Sequence, residues 1–253
     1  SGAALKTGHR MSVYADDFRG GTHDTDGLCL VLEEILKACR KHGISLKPTK
    51  TRIGYSETVF LGHLIKAGMA GISDHNLAPV RDMKAPTDVS SLRRINGIFV
   101  QSRHLIKDYA TLMKPLNRLT GKVPWAWTHV EQEAFQTIKF QVVGGHMNYI
   151  PDYNQGFFLE TDASQYGMGA GLYQRVQADL TVKRVVQYLS KGFNVKTQAM
   201  PIHYKEAWAV IWALRKCRFF LISTMVQTVV LTDHAHLRWM KQAEGPVGQW
   251  VHD

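Results

Sequence analysis

Two groups of acidic residues are spaced so that their carboxylates could surround metal ions. The first group is the adjacent pair Asp16 and Asp17 near the start of the chain. The second group is more widely spaced and consists of Asp162, Glu206 and Asp233. Carboxylate oxygens are hard ligands that suit Mg²⁺ shared with substrate phosphates. The two groups therefore predict two metal-dependent phosphoryl-transfer centres on one chain.

A short hairpin is expected to present the first pair. Residues 11–14 and 18–21 have the pattern of two strands, so Asp16 and Asp17 fall at the turn between them. Two adjacent like charges at a tight turn repel each other, and a bound cation would neutralise them. A solvated Asp-Asp turn without a metal is the structural alternative.

A helix and a second hairpin follow. Apolar residues recur with helical period over residues 24–42, and Gly43 is placed to end that helix. Residues 59–65 then have the pattern of a hairpin. The first 75 residues thus combine strands and a helix around the acidic turn.

The second acidic group is expected at one end of an α/β sheet. Residues 156–162, 167–174 and 185–190 predict a three-stranded meander. A helix over residues 202–217 carries Glu206, and the strand over residues 226–232 ends next to Asp233. A strand-end Asp, a helix Glu and a second strand-end Asp can converge on one point. A lone Asp at such a position can also be a helix cap or part of a turn.

The order of the first motifs resembles the palm of a reverse transcriptase from the long-terminal-repeat retrotransposons, the gypsy-like group especially. The motifs are Tyr14-Ala15-Asp16-Asp17 and Phe60-Leu61-Gly62-His63. The resemblance implies that Asp16 is a direct metal ligand, with Asp17 as its supporting neighbour. It also implies that Tyr14 lies against the primer terminus and that Leu61, Gly62 and His63 grip the primer end.

The middle of the chain resembles the thumb and connection of the same family. The matching segments are Ala85-Pro86-Thr87-Asp88, Met113-Lys114-Pro115-Leu116 and Trp125-Ala126-Trp127. Thr128 and Glu131 predict a capping box that opens a helix. The family's aromatic and arginine-rich stretch is replaced here by residues 100–104, and Arg103 and Lys107 are the predicted phosphate contacts.

The last part of the chain resembles ribonuclease H, a family whose four carboxylates bind two metal ions. Asp162, Glu206 and Asp233 correspond to three of them. The resemblance implies two Mg²⁺ or Mn²⁺ ions in each active site, and as partners an RNA:DNA hybrid, a template-primer nucleic acid and the rest of a Pol polyprotein. Two-metal hydrolysis of a phosphodiester requires this kind of ligand set.

Composition agrees with a polyanionic partner. The 253 residues carry a formal net charge of +10, and the sequence pI is about 9.5. Cys29, Cys39 and Cys217 are few and far apart, which predicts reduced thiols. No apolar run is long enough to span a membrane. We expect no membrane partner and an intracellular location, in a cytoplasmic particle or the nucleus, without secretion.

The predicted fold class is α+β, with a reverse transcriptase palm remnant over residues 1–75 and a helical thumb and connection over residues 76–150. Residues 151–253 are predicted to form an incomplete ribonuclease H-like α/β domain with a mixed sheet. The resemblance places the polymerase's first aspartate upstream and the fourth ribonuclease H carboxylate downstream. We therefore expect a piece of a longer polyprotein that cannot extend a primer alone. The alternative is an inactive retroelement remnant that binds nucleic acid or protein.

Overall fold

A computed structural model describes most of the chain and divides it into two compact units, residues 1–67 and 68–253. The described residues are 3–4, 10–14, 17–22, 24–60, 62–66, 68–144, 147–176 and 178–233. The architecture is the predicted mixture of helices and strands. The predicted three-part division at residues 75 and 150 stays a prediction.

The first unit opens with three short antiparallel strands. Strand β1 (Ala3–Ala4) pairs with β2 (Arg10–Tyr14), and β2 pairs with β3 (Asp17–Gly21). Tyr14 and Asp17 are backbone partners where β2 ends and β3 begins. The predicted hairpin around the acidic pair is therefore present in the backbone.

A long amphipathic helix follows this hairpin. Helix α1 (Thr25–His42) begins where the Asp24 carboxylate accepts a hydrogen bond from the Gly27 N–H at 2.6 Å. It ends at Gly43, whose left-handed backbone (φ 67°) is a conformation that glycine adopts without steric cost. The predicted helix and its glycine stop are both confirmed.

The first unit closes with the second predicted hairpin. A single 3₁₀ turn, Pro48–Lys50, leads to strand β4 (Glu57–Phe60), which pairs with the antiparallel strand β5 (His63–Lys66). Gly62 lies in the intervening turn with a positive φ of 78°.

The second unit starts with a helical module. Two short strands and four helices build it: β6 (Met69–Ile72), α2 (Asp74–Arg81), α3 (Val89–Gln101), α4 (Tyr109–Leu119), α5 (His129–Val143) and β7 (Asn148–Tyr149), with one 3₁₀ turn at Arg103–Leu105. The core of this module is formed by Leu92, Phe99, Leu116, Phe135 and Ile138, all fully buried. The middle of the chain is thus helical, as predicted.

The predicted capping box is confirmed at the start of α5. The Glu131 carboxylate accepts hydrogen bonds from the Thr128 N–H and hydroxyl, and the Thr128 hydroxyl accepts one from the Val130 N–H. Arg118 on α4 donates a further hydrogen bond to Glu131 at 2.9 Å. The cap therefore also links two helices of the module.

A four-stranded sheet forms the rest of the second unit. Its elements are β8 (Phe158–Ala163), β9 (Gly167–Val176), β10 (Asp179–Gly192), α6 (Val195–Gln198), α7 (Ile202–Leu221) and β11 (Val229–Thr232). The strand order is β10-β9-β8-β11. Strands β8, β9 and β10 are antiparallel, whereas β11 is parallel to β8, so the sheet is mixed as predicted.

Two strand boundaries differ from the sequence prediction. Strand β10 extends well beyond the expected residues 185–190, and two register shifts accommodate its extra length. Strand β11 begins at Val229 rather than at residue 226. The Thr224 hydroxyl accepts a hydrogen bond from the Val226 N–H at 3.1 Å, which holds that residue in a turn.

Helix α7 packs against one face of the sheet. The core between them contains Phe157, Leu159, Leu172, Ala213 and Cys217, all fully buried. Side chains of the opposite face alternate with these along the strands. Among the described residues, no helix has both the length and the apolar character needed to cross a membrane.

Candidate metal centre

Asp162 lies on the exposed side of β8, close to the end of the strand. Leu159, Thr161 and Ala163 are buried, whereas Glu160 and Asp162 are exposed. This alternation follows from the two-residue period of a strand. Asp162 is therefore accessible while the backbone that carries it is fixed by the core.

Glu206 reaches the same strand end from helix α7. The residue is 3% exposed, and its Oε1 accepts a hydrogen bond from the Ala163 N–H at 3.1 Å. Its Oε2 is buried and has no hydrogen-bond partner within the described part of the chain. A buried carboxylate oxygen without a partner is costly, so this atom is a candidate ligand for a cation.

Asp233 joins the group from the neighbouring strand. Strand β11 runs parallel to β8 with Thr232 opposite Thr161, so Asp233 follows β11 at the same edge where Asp162 lies in β8. Neighbouring strands are about 4.8 Å apart. The parallel pairing thus brings the two aspartates side by side.

The three predicted carboxylates form a compact cluster. Asp162, Glu206 and Asp233 each offer an oxygen, and these atoms all lie within 4.8 Å of one another. Burial, together with the negative charges of Asp233 and Asp162, raises the pKa of Glu206 to about 7 against the opposing hydrogen bond from the Ala163 N–H. Such a cluster can share a divalent cation, which would relieve the repulsion.

The cluster opens into a groove of about 690 Å³ across the exposed face of the sheet. Residues from the sheet and from the helical module line it, including Lys107, Asp108, Glu160, Asp162, Tyr173, Lys183, Tyr188 and Asp233. Lys183 forms an ion pair with Glu160 at 2.6 Å. The groove is therefore lined by the lysines Lys107 and Lys183 as well as by carboxylates.

Sequence reasoning selected Lys107 but missed three charged residues of this groove, namely Asp108, Glu160 and Lys183. The alternation of β8 could have found Glu160, because it lies on the same face as Asp162. No sequence signal marked Lys183, since the expected strand began two residues after it. Arg103, the other predicted phosphate contact of this region, is exposed in its 3₁₀ turn and is not among the residues that line the groove.

The predicted polymerase site is described in part. Asp16 and Leu61 lie outside the described residues. Tyr14 ends β2 and Asp17 begins β3, while Gly62 and His63 lie at the turn and first position of the second hairpin. The roles of these residues as metal ligands or primer contacts stay predictions.

Comparison with known proteins identifies the class of this fold and site. Residues 152–252 match the family model described as the RNase H-like domain found in reverse transcriptase. The carboxylate cluster and its mixed sheet lie within that segment. This part of the chain is similar to the RNase H-like domain of reverse transcriptases.

Similarity to retrotransposon Pol polyproteins extends over most of the chain. The chain is 27% identical over 237 residues to the retrovirus-related Pol polyprotein from transposon opus of Drosophila melanogaster. The aligned region covers 89% of this chain but 23% of that polyprotein. The chain therefore spans less than a quarter of the length of this relative. The predicted recognition of a retrotransposon Pol protein is confirmed, and its gypsy-like subclass stays a prediction.

Solved structures share the fold. The foamy viral protease-reverse transcriptase dRH in complex with double-stranded DNA gives a TM-score of 0.79 at 17% identity, covering 96% of this chain and 44% of that chain. The foamy viral protease-reverse transcriptase in complex with an RNA/DNA hybrid gives a TM-score of 0.74 at 18% identity, covering 96% and 33%. The predicted α+β fold class is confirmed.

Proposed function

We propose that the carboxylate cluster is the metal centre of a ribonuclease H that hydrolyses the RNA strand of RNA:DNA hybrids. The observation that carries the proposal is the convergence of Asp162, Glu206 and Asp233 within 4.8 Å in an RNase H-like domain. The buried, unpartnered Oε2 of Glu206 supports it, because a cation would satisfy that atom. The foamy viral relative of known structure that holds an RNA/DNA hybrid supports the choice of substrate.

Each carboxylate has a distinct part in this proposal. Glu206 is fixed by its hydrogen bond to Ala163 and is shielded from water, so it supplies an oriented ligand. Asp162 and Asp233 are exposed and face the groove in which the substrate would lie. Two Mg²⁺ or Mn²⁺ ions, when bound, would activate a water molecule and stabilise the leaving 3′ oxygen.

We further propose that the chain belongs to a longer Pol polyprotein that performs RNA-directed DNA synthesis. In that protein, Asp16 and Asp17 would bind the polymerase metal ions. Tyr14, Leu61, Gly62 and His63 would contact the template-primer. The similarity to the Pol polyprotein of transposon opus supports this wider role.

Titration with Mn²⁺ tests the metal centre directly. Calorimetry should show binding to the wild-type chain and a marked loss of affinity in Asp162→Asn, which removes one charged ligand. Glu160→Gln is the matched control, because it removes a carboxylate from the same strand face outside the cluster. Its affinity for Mn²⁺ should stay close to that of the wild type.

A separation-of-function experiment tests the reaction. In the longer polyprotein, Asp162→Asn should abolish cleavage of a labelled RNA strand while primer extension continues. If wild-type Mn²⁺ binding is absent, or does not depend on Asp162, Glu206 and Asp233, the ribonuclease proposal is wrong. Hybrid binding that persists without metal binding would instead favour the inactive binding module.

A further inference from the structure

The segment Lys107-Asp108 connects the helical module to the groove that contains the carboxylates. Its neighbours Ile106 and Tyr109 are buried in or beside the module's core, at 0% and 9% exposure. The Lys107 N–H donates a hydrogen bond to the Gln141 side-chain oxygen at 3.0 Å. The two exposed residues are therefore held on a fixed backbone.

This segment lies over the same lateral row of the sheet as Asp162. Ser190, Gly169 and Asp162 are register partners across β10, β9 and β8. The Asp108 Oδ1 is 3.5 Å from the position that a Cβ on Gly169 would occupy. Gly169 is one strand spacing, about 4.8 Å, from Asp162, so the Asp108 carboxylate lies over the strand next to Asp162.

Contacts from the sheet fix the start of helix α4. The Ala110 N–H donates a hydrogen bond to the Ser190 hydroxyl at 2.8 Å, whereas the Asp108 side chain makes no capping bond to its own helix. Lys114, one turn further along α4, places its ammonium 3.3 Å from the ring centre of Tyr166. The sheet thus helps to cap the helix that follows Lys107.

We propose that Lys107 holds a backbone phosphate of the nucleic-acid strand beside the Asp162 and Asp233 carboxylates. The ribonuclease centre would then be a composite site, completed by the helical module. This inference rests on the proposed function. It assigns Lys107, predicted from sequence only as a phosphate contact, to one particular site.

Of the two lysines that line the groove, Lys107 is the one available to bind phosphate. Lys183 is already paired with Glu160 at 2.6 Å. Lys107 is exposed, and no carboxylate of the described residues lies within 4.0 Å of its ammonium. An ammonium is a compact point charge that binds phosphate oxygens without reading sequence. Lys107 would therefore supply a positive charge to an incoming phosphodiester in a groove where Asp108, Glu160, Asp162 and Asp233 are negative.

The salt dependence of binding tests this assignment. The probe is a DNA strand paired with 2′-O-methyl RNA, and its affinity for the whole chain is measured with Mn²⁺ from about 50 to 200 mM salt. Lys107→Ala should weaken binding several-fold at low salt and reduce the slope of log K against log salt by about 0.9, the effect of one lost phosphate contact. Lys107→Arg should restore most of the slope. Lys122→Ala removes the same charge from the same module outside the groove, and it should retain the wild-type slope.

Neutral linkages identify the contacted phosphate. Single methylphosphonates are placed along each strand, and one linkage should weaken the wild type and Lys122→Ala but not Lys107→Ala. The inference is overturned if Lys107→Ala and Lys122→Ala give the same slope, or if every neutral linkage weakens both variants equally. A wild-type chain that binds neither Mn²⁺ nor the probe would instead overturn the proposed function and this inference with it.

Discussion

The Glu206 carboxylate accepts a hydrogen bond from the backbone N–H of Ala163, the residue that follows Asp162. This bond joins helix α7 to the end of β8 at a distance of 3.1 Å. It uses Oε1 of Glu206, whereas Oε2 is buried and has no hydrogen-bond partner among the described residues. A backbone hydrogen bond therefore fixes the position of the Glu206 carboxylate in the cluster.

Divalent metal should stabilise the folded chain. Under the proposed function, Mn²⁺ or Mg²⁺ would bind the folded cluster and not the dispersed carboxylates of the unfolded chain, so the melting temperature should rise with metal concentration. At a hundredfold excess over Kd the gain is about 2.7 kcal/mol. Differential scanning calorimetry of the wild type and Asp162→Asn measures the effect.

Asp162→Asn should lose most of this shift. Without metal its stability should equal or exceed that of the wild type, because one of three repelling charges is removed. A metal-induced shift of the same size in both proteins would contradict the prediction.

The metal-free chain should lose stability as the pH rises from 5 to 7. The pKa of Glu206 is about 7 in the folded state against an ordinary value of 4.5, so the folded state binds more protons than the unfolded state in this window. The free energy of unfolding therefore falls with rising pH, by about 2 kcal/mol from this group between about pH 5 and 7. Urea unfolding in EDTA at several pH values measures it.

Glu206→Gln isolates that contribution. A glutamine cannot ionise, so the difference in unfolding free energy between the variant and the wild type should change across pH 5 to 7. Two parallel stability curves would show that Glu206 titrates normally in the folded chain.

The sequence predicts the elements that carry the three carboxylates. Runs of apolar and β-branched residues mark strands β8 and β11, and Asp162 and Asp233 lie at their ends. Glu206 is recognisable because the helix that contains it has an apolar period. The local pattern is sufficient to predict where these carboxylates lie. The position of each one is determined by the strand or helix that carries it and by the order of the strands in the sheet.

The surroundings of the cluster could not be predicted in this way. Lys107 reaches the groove because helix α4 docks on the sheet, where the Ala110 N–H bonds the Ser190 hydroxyl, 80 residues further along the chain than Ala110. Lys183 reaches Glu160 through the register of β10, which contains two shifts. Neither contact has a local signature, since both depend on how distant segments pack.

The capping box of α5 should be sensitive to acid. Burial alone would raise the pKa of Glu131, but hydrogen bonds from Thr128 and Arg118 outweigh it and lower the pKa to about 2. Stability from this group is present above pH 4.5 and is lost as the pH falls towards 2. Glu131→Gln should cost about 1–3 kcal/mol at pH 7, measured by urea unfolding.

The exposed residue Glu133 provides the control for this prediction. Glu133→Gln lies on the same helix, two residues away, and should change the unfolding free energy by less than about 0.5 kcal/mol. The wild type and Glu131→Gln should converge in stability as the pH falls towards 2. Equal losses in the two variants at pH 7 would contradict a special role for Glu131.

Gly167 and Gly192 are cross-strand partners at the ends of β9 and β10, yet they should respond oppositely to alanine. A Cβ on Gly167 would lie 2.9 Å from the Lys191 carbonyl oxygen, whereas a Cβ on Gly192 would meet nothing within 4 Å. Because the carbonyl belongs to the backbone, Gly167→Ala must displace the strand ends next to Asp162, at a cost of about 1–3 kcal/mol.

Gly192→Ala should be neutral or stabilise by up to about 1 kcal/mol, since it reduces the freedom of the unfolded chain. Thermal unfolding of both variants measures the difference, and Mn²⁺ titration should show weakened binding in Gly167→Ala alone. Equal stabilities of Gly167→Ala and Gly192→Ala would contradict the prediction. They would show that the strand ends can move apart without loss of stability, and that the close approach at Gly167 does not fix the turn after Asp162.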